Sequence, residues 1–362
     1  MSVAQREPST REIDAQARET IAKAIQRKVP GLAELTAEIS RETGSTPKEV
    51  IFTRGTLKLY HYLPQTDDLY RIPVLIVMSL ISKPYILDLA PGQSFIEYLV
   101  QQGFDVYMVD WGIPRDEHKH LRFDDYVTDF IPQCVEKMQA HSGEHDINMI
   151  GYCIGGMLAV TYAALYARGP LRNLALFATP INSDGMALHK KLIESEGFDV
   201  DLLVDKLGNV PPEVVSASMQ ILRPLQKAAG QMTLLNNLDD AAFVKAHLRL
   251  AKWGADQIPF PGATFRQMAH DFIRDNKIVK GEFALGGRKV KLSKVKVPFL
   301  HVVAEHDHIV PYASSKDLGK KVGSPDKREW LIKGGHVSLV AGRNAVTRMW
   351  PQVAAWLAER ST

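Results

Sequence analysis

The chain has 362 residues, and its 45% hydrophobic and 23% charged content is typical of a globular protein that buries a large core. A net charge of +3 gives no reason to expect nucleic acid as a partner. No apolar stretch reaches the roughly 18 residues of a transmembrane helix, and the stretch from Met1 to Pro8 is polar, without the apolar region typical of a signal peptide. Two cysteines argue against a disulfide scaffold. We therefore expect a cytoplasmic protein without a transmembrane segment.

Residues 1–48 show the spacing of accessory helices that lie outside a catalytic core. Apolar residues recur at helical intervals, and charges are dense on the opposite face. Such a stripe predicts packing, either on the rest of the chain or on a partner.

Strands and helices then alternate as far as residue 180. The predicted strands are at 49–63 (two strands), 73–78, 105–110, 147–152 and 173–178, with helices at 94–102, 123–138 and 155–166. This alternation predicts an α/β sheet that is mostly parallel.

The alternation stops over 181–289, where the sequence pattern predicts helices separated by prolines. It resumes with strands at 297–304 and 329–332 and a closing helix at 344–359. We predict a core made of 49–180 and 290–362, with 181–289 as a helical insertion that caps an active site.

The sharpest chemical signal is the stretch 151–156, Gly-Tyr-Cys-Ile-Gly-Gly, between a predicted strand and helix. This is the pattern of a nucleophile elbow, with Cys153 where serine usually stands. Flanking glycines allow other backbones to pass close to the tight turn. A buried core cysteine is the alternative interpretation of Cys153.

Candidates for a base and an orienting acid follow two later strands. Asp307 stands in the loop after 297–304, and His336 follows 329–332. A cysteine nucleophile needs a histidine base, and that base needs a carboxylate to orient it. The order nucleophile, acid, histidine predicts the α/β-hydrolase fold, a mostly parallel central sheet with a helical cap. Glu305 is an alternative acid, nearer to the strand end.

The oxyanion hole of this fold uses two backbone N–H donors. Ile154 follows the nucleophile and supplies one candidate. The loop after strand 73–78 supplies the other, at Ile81 or Ser82, since Pro84 has no N–H.

We predict neither a metal site nor a cofactor. The remaining polar candidates are interpreted as surface or structural residues: His306 and His308 beside Asp307, for which substrate contact is the alternative, the histidines His118, His120, His141 and His145, and Cys134 on the 123–138 helix.

A cysteine nucleophile favours thioester chemistry, because exchange of one thioester for another costs little free energy. Acyl transfer from an acyl-CoA is one hypothesis, and a cysteine hydrolase of the same fold, acting on acyl-CoA or on esters, is another. A granule-binding protein without catalysis is a third, disfavoured by the intact Cys153, Asp307 and His336.

These residues resemble the catalytic subunits of polyhydroxyalkanoate synthases. The elbow resembles the family's G-x-C-x-G-G box, and the resemblance spans about residues 51–357. Further similar motifs are 81–89 (Ile-Ser-Lys-Pro-Tyr-Ile-Leu-Asp-Leu), 110–114 (Asp-Trp-Gly-Ile-Pro), 307–311 (Asp-His-Ile-Val-Pro), 335–337 (Gly-His-Val), 253–262, Asp275-Asn276 and Gly281. Ser82 stands where the family usually has asparagine, and Met78-Ser79 replaces a proline pair.

The resemblance implies that (R)-3-hydroxyacyl-CoA is polymerised into polyester with release of CoA. Cys153 would carry the chain, His336 would act as base, and Asp307 would orient it and help to activate the 3-hydroxyl. The short N-terminal region resembles the shorter synthases, which act with a second, smaller subunit. The resemblance also implies a homodimer and a site of action on polyester granules in the cytoplasm.

Overall fold

The computed structural model describes residues 16, 19–20, 23–24, 26–29, 31–222 and 226–362, with the side chains of 220, 222 and 226–228 excepted. Much of the predicted first accessory helix and part of the cap therefore lie outside the described residues. Within the described part of the chain, no helix combines the length and apolarity needed to cross a membrane.

An eight-stranded sheet forms the centre of the molecule. Its order is β1-β2-β4-β3-β5-β6-β9-β10; β1 and β2 are antiparallel to each other, β2 is antiparallel to β4, and the other neighbours are parallel. The strands are β1 (Lys48–Arg54), β2 (Leu57–Tyr62), β3 (Val74–Val77), β4 (Val106–Asp110), β5 (Ile147–Tyr152), β6 (Leu171–Phe177), the cap hairpin β7 (Ala284–Leu285) and β8 (Arg288–Lys289), β9 (Phe299–Ala304) and β10 (Lys327–Ile332).

Helices cover the sheet and fill the interval between β6 and β9. They are α1 (Leu32–Glu42), α2 (Phe95–Gln101), α3 (Ile131–Ser142), α4 (Ile154–Leu165), α5 (Ala187–Ile193), α6 (Val200–Leu207), α7 (Pro212–Leu222), α8 (Gln226–Asn236), α9 (Ala241–Ala255), α10 (Gly262–Gln267), α11 (Lys277–Lys280), α12 (Tyr312–Ser315), α13 (Leu318–Lys321) and α14 (Trp350–Ala358). This architecture confirms the predicted α/β-hydrolase fold.

Burial explains why the central strands read as continuous apolar runs. Every residue of β3, β5 and β9 is buried, because helices lie on both faces of the parallel part of the sheet. At the start of α2, Ser94 is the N-cap and accepts a hydrogen bond from the backbone N–H of Glu97.

Two predicted helices contain a wider π-helical segment. Tyr126–Phe130 precedes α3, and Ala345–Met349 precedes α14. In both cases a proline, Pro132 or Pro351, follows two residues after the π segment. Because proline lacks an N–H, it cannot donate the usual helical hydrogen bond, and the preceding turn widens.

The described accessory helix α1 packs on the cap. Leu32 and Leu35 contact an apolar cluster that includes Leu234 and Val244. On the same side, the Lys245 ammonium donates to Glu38 at 2.6 Å and to Glu42 at 2.8 Å, and Arg249 also pairs with Glu42. The N-terminal region is therefore attached to helix α9, which lines the cavity described below.

Candidate active site

Cys153 sits on a strained turn between β5 and α4. Its backbone φ is 57° and ψ is −122°, a conformation that side chains rarely adopt, and its N–H donates to the carbonyl of Phe177 at 2.9 Å. A Cβ atom at Gly155 would collide with the carbonyl oxygen of Val77. The glycine is required because α4 starts directly against the end of β3, and this contact fixes the elbow.

Asp307 and His336 meet behind the cysteine. The His336 Nδ1–H donates to Asp307 Oδ2 at 2.6 Å, and Asp307 Oδ1 accepts from the backbone N–H groups of Ile309 (2.9 Å) and Val310 (2.8 Å). The carboxylate is thereby held in place and fixes the tautomer of the imidazole, with Nε2 left to face the cysteine. Cys153, Asp307 and His336 are 7%, 6% and 5% exposed.

The electrostatics of the buried histidine favour its protonated form. Burial alone would lower the pKa of His336, but the negative charges of Asp307 and of a Cys153 thiolate, and hydrogen bonds to both side chains, outweigh burial and raise the pKa to about 10. The ring also stacks on Tyr152, with centroids 5.0 Å apart. A protonated imidazole beside a thiolate is the charge arrangement of an activated cysteine.

The structure separates the two candidate acids. Glu305 and its neighbour His306 are exposed and face each other across 3.9 Å. Asp307 is the carboxylate that reaches His336, and His308 lines the same cavity as Cys153.

Cys134 is fully buried on α3, where burial raises the pKa of its thiol to about 12, so this thiol stays protonated at neutral pH.

The loop after β3 lies opposite the nucleophile, where an oxyanion donor is needed. Ile81 and Ser82 line the cavity together with Cys153. Ile154 is the first residue of α4, so its N–H has no acceptor within the helix. The three predicted oxyanion residues therefore surround the elbow.

Two tryptophans, which sequence reasoning did not single out as site residues, hold this loop at both ends. The Trp111 Nε1–H donates to the carbonyl of Met78 at 2.9 Å, and the Trp253 Nε1–H donates to the carbonyl of Lys83 at 3.0 Å. Trp253 belongs to the cap and lies 170 positions from Lys83 in the chain, so only its place in a family-like segment could have drawn attention to it.

The cavity above Cys153 has a volume of about 840 Å³. Its lower wall is the elbow, His336 and the loop after β3, and its upper wall is formed by the cap helices α7, α8 and α9. Cap residues that line it are Ser216, Met219, Gln231, His247, Leu250 and Trp253. Burial lowers the pKa of His247. A volume of this size accommodates an extended acyl group.

The four histidines interpreted as surface residues are dispersed. His118 Nδ1 accepts from the backbone N–H of Arg115 at 2.9 Å, His120 is exposed, and His145 lies 3.3 Å from Asp146. Of the four, only His141 belongs to a group of three potential metal ligands within the described residues.

Sequence comparison with known families gives two matches. Residues 85–342 match the profile of the α/β hydrolase fold, and residues 21–99 match that of the poly-beta-hydroxybutyrate polymerase (PhaC) N-terminus.

Two relatives carry the same family name. The chain is 36% identical to the poly(3-hydroxyalkanoate) polymerase subunit PhaC of Haloferax mediterranei, over 91% of this chain and 67% of that protein. It is 33% identical to the PhaC subunit of Allochromatium vinosum, over 88% of this chain and 90% of the relative.

Solved structures with low sequence identity share the fold. A thermophilic esterase from Thermogutta terrifontis is 18% identical, with a TM-score of 0.51 over 87% of this chain and 99% of that one. MenH from S. aureus is 15% identical, with a TM-score of 0.52 over 85% of this chain and 100% of that one. These structures show the fold alone. The sequence matches confirm the resemblance and show that the chain belongs to the poly(3-hydroxyalkanoate) polymerase family, acyltransferases built on the α/β-hydrolase fold.

Proposed function

We propose that this protein polymerises (R)-3-hydroxyacyl-CoA into polyhydroxyalkanoate and releases CoA, with the growing chain held as a thioester on Cys153. The observation that carries the proposal is the pair His336 and Asp307 placed beside an elbow cysteine, in a chain of this family. Its chemistry requires no metal and no cofactor.

In the loading step, the Cys153 thiolate attacks the carbonyl carbon of the CoA thioester. The carbon–sulfur bond to CoA breaks, and a new carbon–sulfur bond to Cys153 forms. Negative charge on the carbonyl oxygen is stabilised by the Ile154 N–H and by a donor at Ile81 or Ser82. CoA leaves as a thiolate and takes the proton of His336.

The charge balance around His336 changes as the cysteine is acylated. The thiolate of Cys153 is one of the charges that raise the pKa of His336. Acylation removes that charge, so the imidazolium becomes a better acid and gives its proton to the departing CoA. The neutral imidazole that remains is a base, still oriented by Asp307.

In the elongation step, the 3-hydroxyl oxygen of the next hydroxyacyl-CoA attacks the Cys153 thioester. His336 takes the hydroxyl proton, an ester bond forms, and Cys153 is released as a thiolate. The lengthened chain is then a CoA thioester, and the same thiolate attacks it and reloads the chain. One cysteine is therefore sufficient for repeated addition.

The partners follow from the same family assignment. Relatives named as polymerase subunits support a second, smaller subunit. We also propose a homodimer that works in the cytoplasm at the surface of polyester granules, where the product accumulates.

The proposal is tested by incubating the purified full chain with (R)-3-hydroxybutyryl-CoA and measuring released CoA and precipitated polyester in the same samples. If the proposal holds, nearly all of the released CoA is matched by hydroxybutyrate in polymer. Release of CoA with free 3-hydroxybutyrate as the product would identify a thioesterase instead. Polymer binding without CoA release would identify a non-catalytic granule protein.

Replacing Trp253 with phenylalanine should slow CoA release roughly tenfold while the fold is retained. Phenylalanine keeps most of the ring in the cavity wall but removes the N–H that holds the Lys83 carbonyl. Turnover number and thermal unfolding midpoint are measured together. The control is Trp330→Phe, a half-buried residue of β10 outside the cavity. An unchanged turnover number in Trp253→Phe would show that this hydrogen bond does not position the loop.

A further inference from the structure

A second cluster of chemically active side chains lies at the antiparallel edge of the sheet. Glu49 of β1 is paired with His61 of β2, and His61 is paired in turn with Tyr107 of β4. His141, in the last turn of α3, reaches over this row, and its ring centroid is 4.5 Å from that of His61. None of these residues lines the Cys153 cavity.

Both histidines point one ring nitrogen at the same carboxylate oxygen. His61 Nδ1 lies 3.1 Å from Glu49 Oε1, and His141 Nε2 lies 3.6 Å from it. Ligands at about 2.0–2.1 Å from a tetrahedral zinc ion are separated from each other by about 3.3 Å. The two observed separations bracket that value, and all three atoms lie within 4.8 Å of one another.

The other ring nitrogen of each histidine has a polar partner behind it. His61 Nε2 lies 2.9 Å from Asp105 Oδ1, and His141 Nδ1 lies 2.8 Å from the Tyr107 hydroxyl. When His61 Nε2–H donates to Asp105 and His141 Nδ1–H donates to the Tyr107 oxygen, the lone pairs of His61 Nδ1 and His141 Nε2 both face Glu49.

Three electron-pair donors that face one point repel one another unless a positive charge lies between them. Glu49 and Asp105 together carry two negative charges, which match one divalent cation. A carboxylate behind a histidine, as Asp105 is behind His61, is an outer contact typical of metal-bound imidazole.

We propose that Glu49, His61 and His141 bind one divalent transition-metal ion of the zinc type, with water completing its coordination. Their exposure fits this role: the His61 side chain is 10% exposed, whereas those of His141 and Glu49 are 35% and 52% exposed and leave an open side for water. Imidazole ligands select such metals over Mg²⁺ or Ca²⁺. The ion would tie edge strand β1 and helix α3 to the core.

The site is separate from the proposed chemistry. It lies on β1, β2 and α3, and the strands β4 and β3 stand between β2 and β5, which carries the elbow. The metal would therefore stabilise the fold without taking part in acyl transfer, and its binding can be measured in a chain that has no active cysteine.

The test is a calorimetric titration of ZnCl₂ into the full chain carrying Cys153→Ala, after treatment with EDTA and dialysis at neutral pH. The substitution removes the accessible thiol as a competing ligand. We expect one high-affinity zinc ion per chain, no comparable binding of Mg²⁺, and a thermal unfolding midpoint that rises with zinc.

In the same background, Glu49→Gln and His141→Ala should each weaken zinc binding at least about tenfold. Both side chains are exposed enough that the variants should fold, and the unfolding midpoint in EDTA checks this. The matched control is His145→Ala, a 77% exposed histidine four positions from His141, which should bind zinc like the parent. Equal zinc binding by the parent and the folded Glu49→Gln and His141→Ala variants would overturn the proposal, as would a parent that binds none.

Discussion

Replacing Cys153 with alanine should reduce CoA release from (R)-3-hydroxybutyryl-CoA by roughly 10⁴-fold or more. The thiolate is the group that forms the new bond in the proposed loading step, and the buried alcohols and amides around it cannot replace it. Alanine also has a Cβ, so the backbone strain at φ 57° is the same in both proteins, and the free energy of unfolding should change by less than about 1 kcal/mol.

The matched control is Cys134→Ala, which removes the second of the two cysteines. Cys134 is buried on α3 away from the cavity, so this variant should lose some stability and keep the parental rate of CoA release. The rate of each variant is measured as the appearance of free CoA, and thermal unfolding shows whether each variant is folded. Substantial CoA release by a folded Cys153→Ala variant would exclude Cys153 as the nucleophile.

Replacing His336 with glutamine should lower CoA release by roughly 10³- to 10⁴-fold. Glutamine fills similar space but cannot take a proton from the 3-hydroxyl or give one to the leaving CoA. The control is His306→Gln, which changes an exposed histidine near the same strand ends and should leave the rate unchanged. A His336→Gln variant with the parental rate would remove the histidine from the base role.

Stability provides a second, independent measure of the His336 charge. Because the pKa of His336 rises from 6.5 to about 10 on folding, the protonated pair with Asp307 contributes its full stability below pH 6.5. That contribution is lost as pH rises through the folded-state value. The difference in unfolding free energy between the parent and His336→Gln should therefore shrink between pH 6.5 and about pH 10.

The principal site could be anticipated from the sequence because each of its residues follows a strand of a parallel sheet. Parallel strands end at one edge, so Cys153, Asp307 and His336 converge even though they are far apart in the chain. The choice between Glu305 and Asp307 could not be made in this way. It depends on a turn in which the Asp307 carboxylate accepts two backbone N–H groups, and that turn directs its other oxygen to His336.

Contacts between distant elements were beyond the reach of sequence patterns. The cap was recognisable as helical, but its periodicity does not say which faces line the cavity or that Trp253 would hold the Lys83 carbonyl. The Glu49, His61 and His141 cluster has no characteristic spacing because its members come from two antiparallel strands and a helix. Nothing in the sequence marks His61 as a ligand, and the sequence alone predicts His141 at the surface.

The covalent intermediate on Cys153 is tested most directly by mass spectrometry of the intact chain, quenched in acid shortly after mixing with (R)-3-hydroxybutyryl-CoA. We expect a series of added hydroxybutyryl units, located on the peptide that contains Cys153 and released by hydroxylamine, as a thioester requires. The Cys153→Ala protein should show none of these adducts. Polymer formation without any adduct on Cys153, or with the adduct on another residue, would contradict the proposed mechanism.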